Sequence, residues 1–456
     1  MNTHTSRGEG LRPLLLSALM SLSLCAPLGC ADAHLHARYL HASAHRPQPP
    51  SITPLEGEAQ LSRSRLIQAV LARHPSLREA RSAWGQALAR YPQATALPDP
   101  TLTLEAAPFT LASAHPYGQT LRLTQRLSHP EAVSLKGAVS LAQAEARREG
   151  LSERRLSLCA SASALFDEYA LVKRLITLNG EHDELVEQLQ RSVEASYQVG
   201  GGAQRASLSA TLERAELKRE RNALVAREGR ALAELNGLLN QPANASLPPP
   251  TPLVELPPHV EGDEAWRARL AELPELRAAN KRVEAQRSAL ALAERAHLPD
   301  LSVGLTYSSM WAQPAHRLMV GASITLPVQR AAKRAEVTEA TEALTQAEAR
   351  AESLASSADV KAQRARVALQ EARREALIFS ASLLPTARRL VQEAEAAYVS
   401  GRGALMELLG ALRQLKRLER AEAEVQALAW QRYATLQRAL GRECLGSEAP
   451  REGGDA

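Results

Sequence analysis

The chain has 456 residues, of which 45% are hydrophobic, 23% charged and only 3% aromatic. Three Phe, four Trp and eight Tyr cannot fill a conventional core of that size, so Ala and Leu must carry the burial, a composition that favours long helices and coiled coils. The 55 basic and 50 acidic residues give a net charge of +5 with no basic domain, which excludes nucleic acid as a partner; the hydrophobic share excludes a disordered chain.

Residues 1–33 read as a secretory signal peptide. Arg7 and Arg12 precede an apolar run from Leu14 to Leu28, and small residues follow; the run is too short for a comfortable membrane span. Two cleavage readings stay open. Leu28-Gly29-Cys30 resembles a lipoprotein box, which would make Cys30 a lipidated N-terminus, while Ala31-Asp32-Ala33 offers an ordinary small-residue site. Cys25, Cys30, Cys159 and Cys444 include no C-x-x-C pair, so no disulfide framework is expected from their spacing.

Residues 34–60 read as a flexible segment, because Pro47, Pro49 and Pro50 interrupt it. His34, His36, His41 and His45 fall within it, and imidazoles so close together could collect Zn²⁺, Cu²⁺ or Ni²⁺. Short histidine tracts are weak evidence, so the expectation is an exposed linker and no resident metal or cofactor.

The remainder repeats once, at a period of about 200 residues. Leu71-Ala-Arg-His-Pro-Ser-Leu-Arg78 is echoed by Leu270-Ala-Glu-Leu-Pro-Glu-Leu-Arg277, Ala96-Leu-Pro-Asp-Pro100 by His297-Leu-Pro-Asp-Leu301, and Tyr197-Gln-Val-Gly200 by Tyr398-Val-Ser-Gly401. The repeats occupy residues 61–240 and 263–440. Between them lies a connector over 241–262, where Pro248, Pro249, Pro250 and Pro252 forbid a helix. Residues 441–456 read as a disordered tail.

In the first repeat a helix is expected from Ser62 to Ala96, ending before Pro98. Thr101–Glu105 and Gln119–Leu127 alternate apolar and polar residues as strands do, with Leu102, Leu104, Leu121 and Leu123 on one face. A helix from Glu131 to Gln198 follows, then Gly200-Gly201-Gly202, then a helix to Asn240. Leu171, Leu178 and Leu185 recur every seven residues, with Leu175 and Leu189 beside them. The second repeat is expected to match, with helices over 263–296, 330–399 and 404–440. In each repeat the two shorter helices sum to about the length of the long one, roughly 100 Å at the α-helical rise. That describes a rod with a hairpin at one end and a glycine turn at the other. Strands of about nine to eleven residues suit a bilayer if they close into a barrel, and Phe109, Tyr117, Tyr307 and Trp311 near the hairpin tips suit an interfacial girdle.

The doubled plan, with Leu-Pro-Asp before the first strand of each repeat and Tyr-x-x-Gly at each helical turn, resembles the TolC-type outer-membrane efflux channels over about Leu61 to Leu440. Ala96-Leu-Pro-Asp-Pro-Thr-Leu102 and Gln125-Arg-Leu-Ser-His-Pro130 are similar to the heavy-metal efflux branch, although that branch has Gly-Lys directly after the Pro, whereas here Lys136-Gly137 comes six residues later. The resemblance implies a mainly α fold with β hairpins. Long antiparallel helical rods would form a trimeric α-barrel tunnel, capped by a 12-stranded outer-membrane β-barrel with four strands per chain. It implies a homotrimer, outer-membrane lipid around the barrel, a periplasmic adaptor, an inner-membrane efflux pump, and passage rather than catalysis. Val199, Gly200, Gly201 and Gly202, with Ser400, Gly401, Arg402 and Gly403, would be the adaptor-docking tips. Glu407, in Glu407-Leu-Leu-Gly-Ala411, matches one acid of the family's constriction, where a carboxylate ring would favour cations.

No H-E-x-x-H, G-x-S-x-G or P-loop is present in the sequence, so no enzyme is expected. The other reading is a periplasmic coiled-coil scaffold or tether without a pore.

Overall fold

The computed structural model describes residues 33–45, 58–107, 118–197, 203–253, 255–258 and 269–442. The signal segment with Cys30, the turn holding Val199, Gly200, Gly201 and Gly202, the residues Phe109 and Tyr117, and the tail from 443 lie outside them.

In chain order the elements are α1 (Ala33–Ala44), α2 (Arg63–Arg73), α3 (Pro75–Leu88), α4 (Arg90–Thr95), β1 (Thr101–Ala107), β2 (Gly118–Leu127), α5 (Pro130–Tyr197) and α6 (Ala203–Leu238). The second repeat gives α7 (Pro274–Glu294), β3 (Asp300–Ser308), β4 (Leu318–Thr325), α8 (Arg330–Ile378), a π turn (Phe379–Leu383), α9 (Leu384–Val399) and α10 (Leu405–Ala439). Both repeats thus follow the helix–hairpin–helix order expected from the sequence. The 68-residue α5 and the 35-residue α10 fall within a residue or so of their expected bounds.

Four expectations need correction. The helix from Ser62 to Ala96 is three helices. Pro75 forces His74 out of the helical region, to φ −64° and ψ 125°, and Ala89 ends the next. The helix expected from residue 263 is broken: Arg269 and Leu270 are helical, Ala271 to Leu273 turn, and the helix resumes at Pro274, since the residue before a proline disfavours the helical region. Residues Ala33–Ala44 are helical rather than flexible. Tyr39 stacks on Tyr91 with ring centroids 4.8 Å apart, and Arg38 reaches Glu145 at 2.6 Å; this packing outweighs the weak local propensity of a His-rich segment. Leu185, expected on the apolar seam, is exposed, whereas Leu171, Leu175 and Leu178 are buried.

The chain divides into two compact units, and each draws on both repeats: residues 1–47, 82–148 and 278–352 in the first, and 48–81, 149–277 and 353–456 in the second. In the first unit, Ala87, Leu88, Tyr91, Leu141 and Ala144 form a core with Leu35, Tyr39 and Ala42 of α1 against it. Gly137 is required there, because a Cβ would fall 2.9 Å from Thr95 Cγ2 and 3.2 Å from Tyr91 Cε2.

In the second unit the connector is anchored. Leu61 N–H donates to Pro249 O at 2.8 Å and Thr251 N–H to Leu61 O at 3.0 Å. One face of α8 buries Ala358, Ala362, Ala365, Leu369, Ala372 and Ala376, spaced four and three residues apart in the manner of a coiled-coil seam. Small side chains there let neighbouring backbones approach, which answers the scarcity of aromatics: burial is achieved by closeness rather than by bulk. Leu270, Leu273, Leu276, Leu436 and Leu440 complete that cluster.

Candidate channel wall and helical tip

The four strands form one antiparallel sheet in the order β1-β2-β3-β4, although about 170 residues separate β2 from β3 in the sequence (from Leu127 to Asp300). Partners directly opposite share a face, so the register sorts the side chains. Leu104, Leu121, Tyr307 and Leu318 make one row, and Leu102, Leu123, Leu305 and Val320 the next. Leu127, Leu301 and Ile324 make a third, and Val303 and Ala322 sit beside Gln125 between them.

The opposite face is polar. Thr103, Arg122 and Thr306 lie in one row with Met319, Thr101 and Thr124 meet Gly304 and Gly321, and Arg126 meets Ser302 and Ser323. The period-2 alternation of Leu102, Leu104, Leu121 and Leu123 therefore extends across all four strands. Every large apolar residue of the first two rows is exposed, reaching 84% at Val320. Tyr307 and Trp311, expected near the tips, are also exposed, and Trp311 packs edge-on against His316 at 6.0 Å. Among the described residues β1 and β4 each have one neighbour in the sheet, which leaves two edges of unpaired backbone groups.

In the second unit, the turn after α9 is built for a tight reversal. Gly401 takes φ +73°, its N–H donates to Tyr398 O at 3.0 Å, and Arg402 N–H donates to Ala397 O at 2.9 Å. This is the Schellman arrangement, in which a glycine past the helix end lets two orphan carbonyls find donors. Gly403 is equally constrained, because a Cβ would sit 2.9 Å from Ala397 Cβ and 3.2 Å from its backbone carbon. Ser400 Oγ donates to Ala396 O at 2.8 Å, and Arg402 Nε to Ser400 Oγ at 3.1 Å. Leu405 and Leu409 of α10 then bury against Leu189 and Tyr398. Glu407 lies in the first turn of α10 with its side chain exposed, while Leu408 beside it is buried.

Behind the turn, charged groups join the helices. Arg413 meets Glu213 at 2.5 Å and Arg420 meets Glu220 at 2.6 Å, so residues 200 apart in the two repeats face each other on α6 and α10. Burial works against ionising Glu220, but Lys416 and Arg420 hold its carboxyl below the usual range. The nearly buried His182 of α5 lies 3.0 Å from Glu419 Oε2. That hydrogen bond, with smaller pulls from Arg388 and Arg174, holds the Glu419 carboxyl low against its burial. Sequence reading missed these pairs because the partners are as far apart as 237 positions.

The histidines expected as a possible metal tract lie on or beside α1. His41 and His45 stack with centroids 4.1 Å apart, while His36 is nearest Tyr39 and Tyr91 and His34 lines a cavity with Trp84 and Arg148. Among the described residues, no three His, Cys, Asp or Glu side chains converge as metal ligands, and no helix is long and apolar enough to cross a membrane.

Residues 267–442 match the family model described as outer membrane efflux protein. That likeness in sequence covers the second repeat, and the fold is similar to that of solved outer-membrane channels over most of the chain. Solved structures of similar fold include the open state of the MtrE outer membrane channel of Neisseria gonorrhoeae, at 20% identity and a TM-score of 0.72, covering 84% of this chain and 89% of that one. A membrane protein from Pseudomonas aeruginosa follows at 21% and 0.71, covering 87% and 96%. CusC, whose structures concern folding and transmembrane channel formation, stands at 17% and 0.71, covering 87% and 98%. No curated protein sequence matches the chain. The efflux-protein fold accounts for the helix–hairpin–helix order and for the four-stranded sheet with two open edges.

Proposed function

We propose that the protein is the outer-membrane exit channel of an export system, moving substrate outward through a pore without catalysing a reaction. The observation that carries this reading is the sheet. Its one face is apolar and exposed over three aligned rows, its other face is polar, and both edges are unpaired. In hydrocarbon every backbone polar group needs a partner, so such a sheet is stable only when copies join edge to edge into a closed barrel. Three chains would supply twelve strands, with the leucine rows facing lipid and Arg122 and Arg126 facing a wet lumen.

The homotrimer would receive its cargo through a periplasmic adaptor seated on the turns at 199–202 and 400–403, with an inner-membrane pump supplying the energy. The tight geometry at Gly401 and Gly403 supports the second of these contacts, since it presents Ser400 and Arg402 on a rigid reversal. Gly403→Val should weaken adaptor crosslinking while leaving membrane assembly intact; the opposite pattern would remove the turn from docking. Heavy-metal cations are the cargo class favoured by the likeness at 96–102 and 125–130, and three Glu407 carboxylates at a constriction would favour cations.

Single-channel recording in a planar lipid bilayer tests the central reading. Purified, detergent-dependent protein that conducts supports a channel. A protein soluble without detergent and silent in the bilayer would instead be the periplasmic scaffold or tether.

A further inference from the structure

Away from sheet and tip, the second unit holds a cavity of about 650 Å³, within the usual range for small-molecule sites. We propose that this cavity, lined by α2, α5, α10 and the residues leading into α7, binds a small organic carboxylate carried on an apolar or aromatic body.

The charge comes first. Arg63, Arg269, Arg277 and Arg442 line the cavity, against one lining carboxylate, Glu272. Arg277 is matched by Glu149 at 2.8 Å, and Arg63 is hydrogen-bonded to the fully buried Asp167. Arg269 and Arg442 have no such partner among the described residues, so one positive charge remains in excess, which suits a monoanion better than a phosphate.

Hydrogen-bond accounting points the same way. The Nε atoms of Arg63 and Arg442 are buried without an acceptor, an expensive state for a donor and a sign of a missing partner. Gln437 lines the cavity at 7% exposure, and its side-chain amide makes no hydrogen bond among the described residues. A guanidinium fork matches the planar carboxylate geometry.

The rest of the wall would take an apolar body. Trp430 and Tyr433 stand edge to face, 5.8 Å apart and at 87°, with Ile67, Leu156 and Leu440 around them. Arg63 is itself fixed over the Trp430 ring at 3.9 Å, so charge and ring are presented side by side.

A pH dependence follows from Asp167. Burial pushes its carboxyl up to about 7, against the pull of Arg63. As pH falls through that value Asp167 takes a proton, Arg63 loses its counter-charge, and a bound anion gains attraction. The other titratable groups around the cavity are Glu149, Glu272, the remaining arginines and the phenol of Tyr433.

The test titrates the full-length protein in detergent with 2-naphthoate, and with 2-naphthalenemethanol as the neutral counterpart, by calorimetry. The acid should bind about tenfold or more tightly than the alcohol, and Arg269→Gln and Arg442→Gln should each weaken it several-fold. Binding should tighten a few-fold from about pH 8 to pH 6, and Asp167→Asn should remove that dependence; if this variant fails to fold, the wild-type pH series and Arg269→Gln still decide. Equal binding of acid and alcohol, acid binding indifferent to both arginine variants, or no saturation by about 10 mM would each overturn the site. Displacement of naphthoate by inorganic phosphate at comparable concentration would overturn the carboxylate assignment.

Discussion

The sheet and the helical tip solve opposite problems with different chemistry. The sheet places large aliphatic side chains outward, where Val320, Leu104 and Leu102 are more than half exposed, and leaves its edges open. The tip buries Leu405, Leu408 and Leu409 inward and ties its helices with Glu213–Arg413, Glu220–Arg420 and His182–Glu419. A surface that meets lipid can gain from apolar exposure, whereas one in water must pair its charges. The acids of these pairs are largely buried, so losing a partner would leave a poorly solvated charge between the helices.

The largest test of this contrast places a charge on the lipid-facing rows. Val320→Arg or Leu104→Arg should cost about 2–4 kcal/mol if the row lies near the bilayer midplane, while Thr103→Arg on the polar face should be tolerated. Heat resistance of the assembled protein on non-boiled gels measures this. Equal losses on both faces would break the distinction between a lipid face and a lumen face.

Next comes the alanine seam of α8. Ala362 is fully buried, so Ala362→Leu should force the packed helices apart and cost about 1–3 kcal/mol in chemical denaturation. Exposed Val360 and Val367 should accept Ala with little change, since surface substitutions stay within about 0.5 kcal/mol.

A smaller effect is expected at the ion-paired tip. Glu419→Gln should lower stability by about 1 kcal/mol at neutral pH. The sign with pH is set by the depressed carboxyl of Glu419. A group titrating lower in the folded than in the unfolded state stabilises above its unfolded value and loses that contribution as pH falls through its folded value. The gap between wild type and variant should therefore close on acidification below about pH 4. A gap that stays constant with pH would assign the loss to packing.

The smallest effect concerns Glu407, which is exposed and should leave stability unchanged. Glu407→Gln should lower cation over anion preference in bilayer recordings, most visibly at low salt, where screening is weakest. Unchanged selectivity would mean that this carboxylate does not face the pore.

Much of the architecture was legible in the sequence because its signals are local. The strand alternation at Thr101–Leu104, the glycine at 401 and the long helix now spanning Pro130–Tyr197 each follow from a residue's own conformational preference or from a period of two or seven. Two of the failures share one cause. α1 folds where a linker was expected because Tyr39 finds Tyr91, and Leu185 leaves the seam because the α5 face that is buried depends on its neighbours. The helix break at His74 has a local cause instead, the proline that follows it.

The sequence by itself determined the doubled helix–hairpin–helix order, the faces of the strands and the turn at Gly401, since backbone sterics and side-chain periodicity act over a few residues. The tertiary structure alone decided the rest. It set which strands adjoin, β2 beside β3 across most of a repeat, and brought Arg63, Asp167 and Trp430 together from three distant segments. It also placed Arg413 opposite Glu213. Those contacts form only when long helices pack in one register, and that register is chosen by the summed burial of small side chains such as Ala358, Ala362 and Ala365, none of which announces its partner.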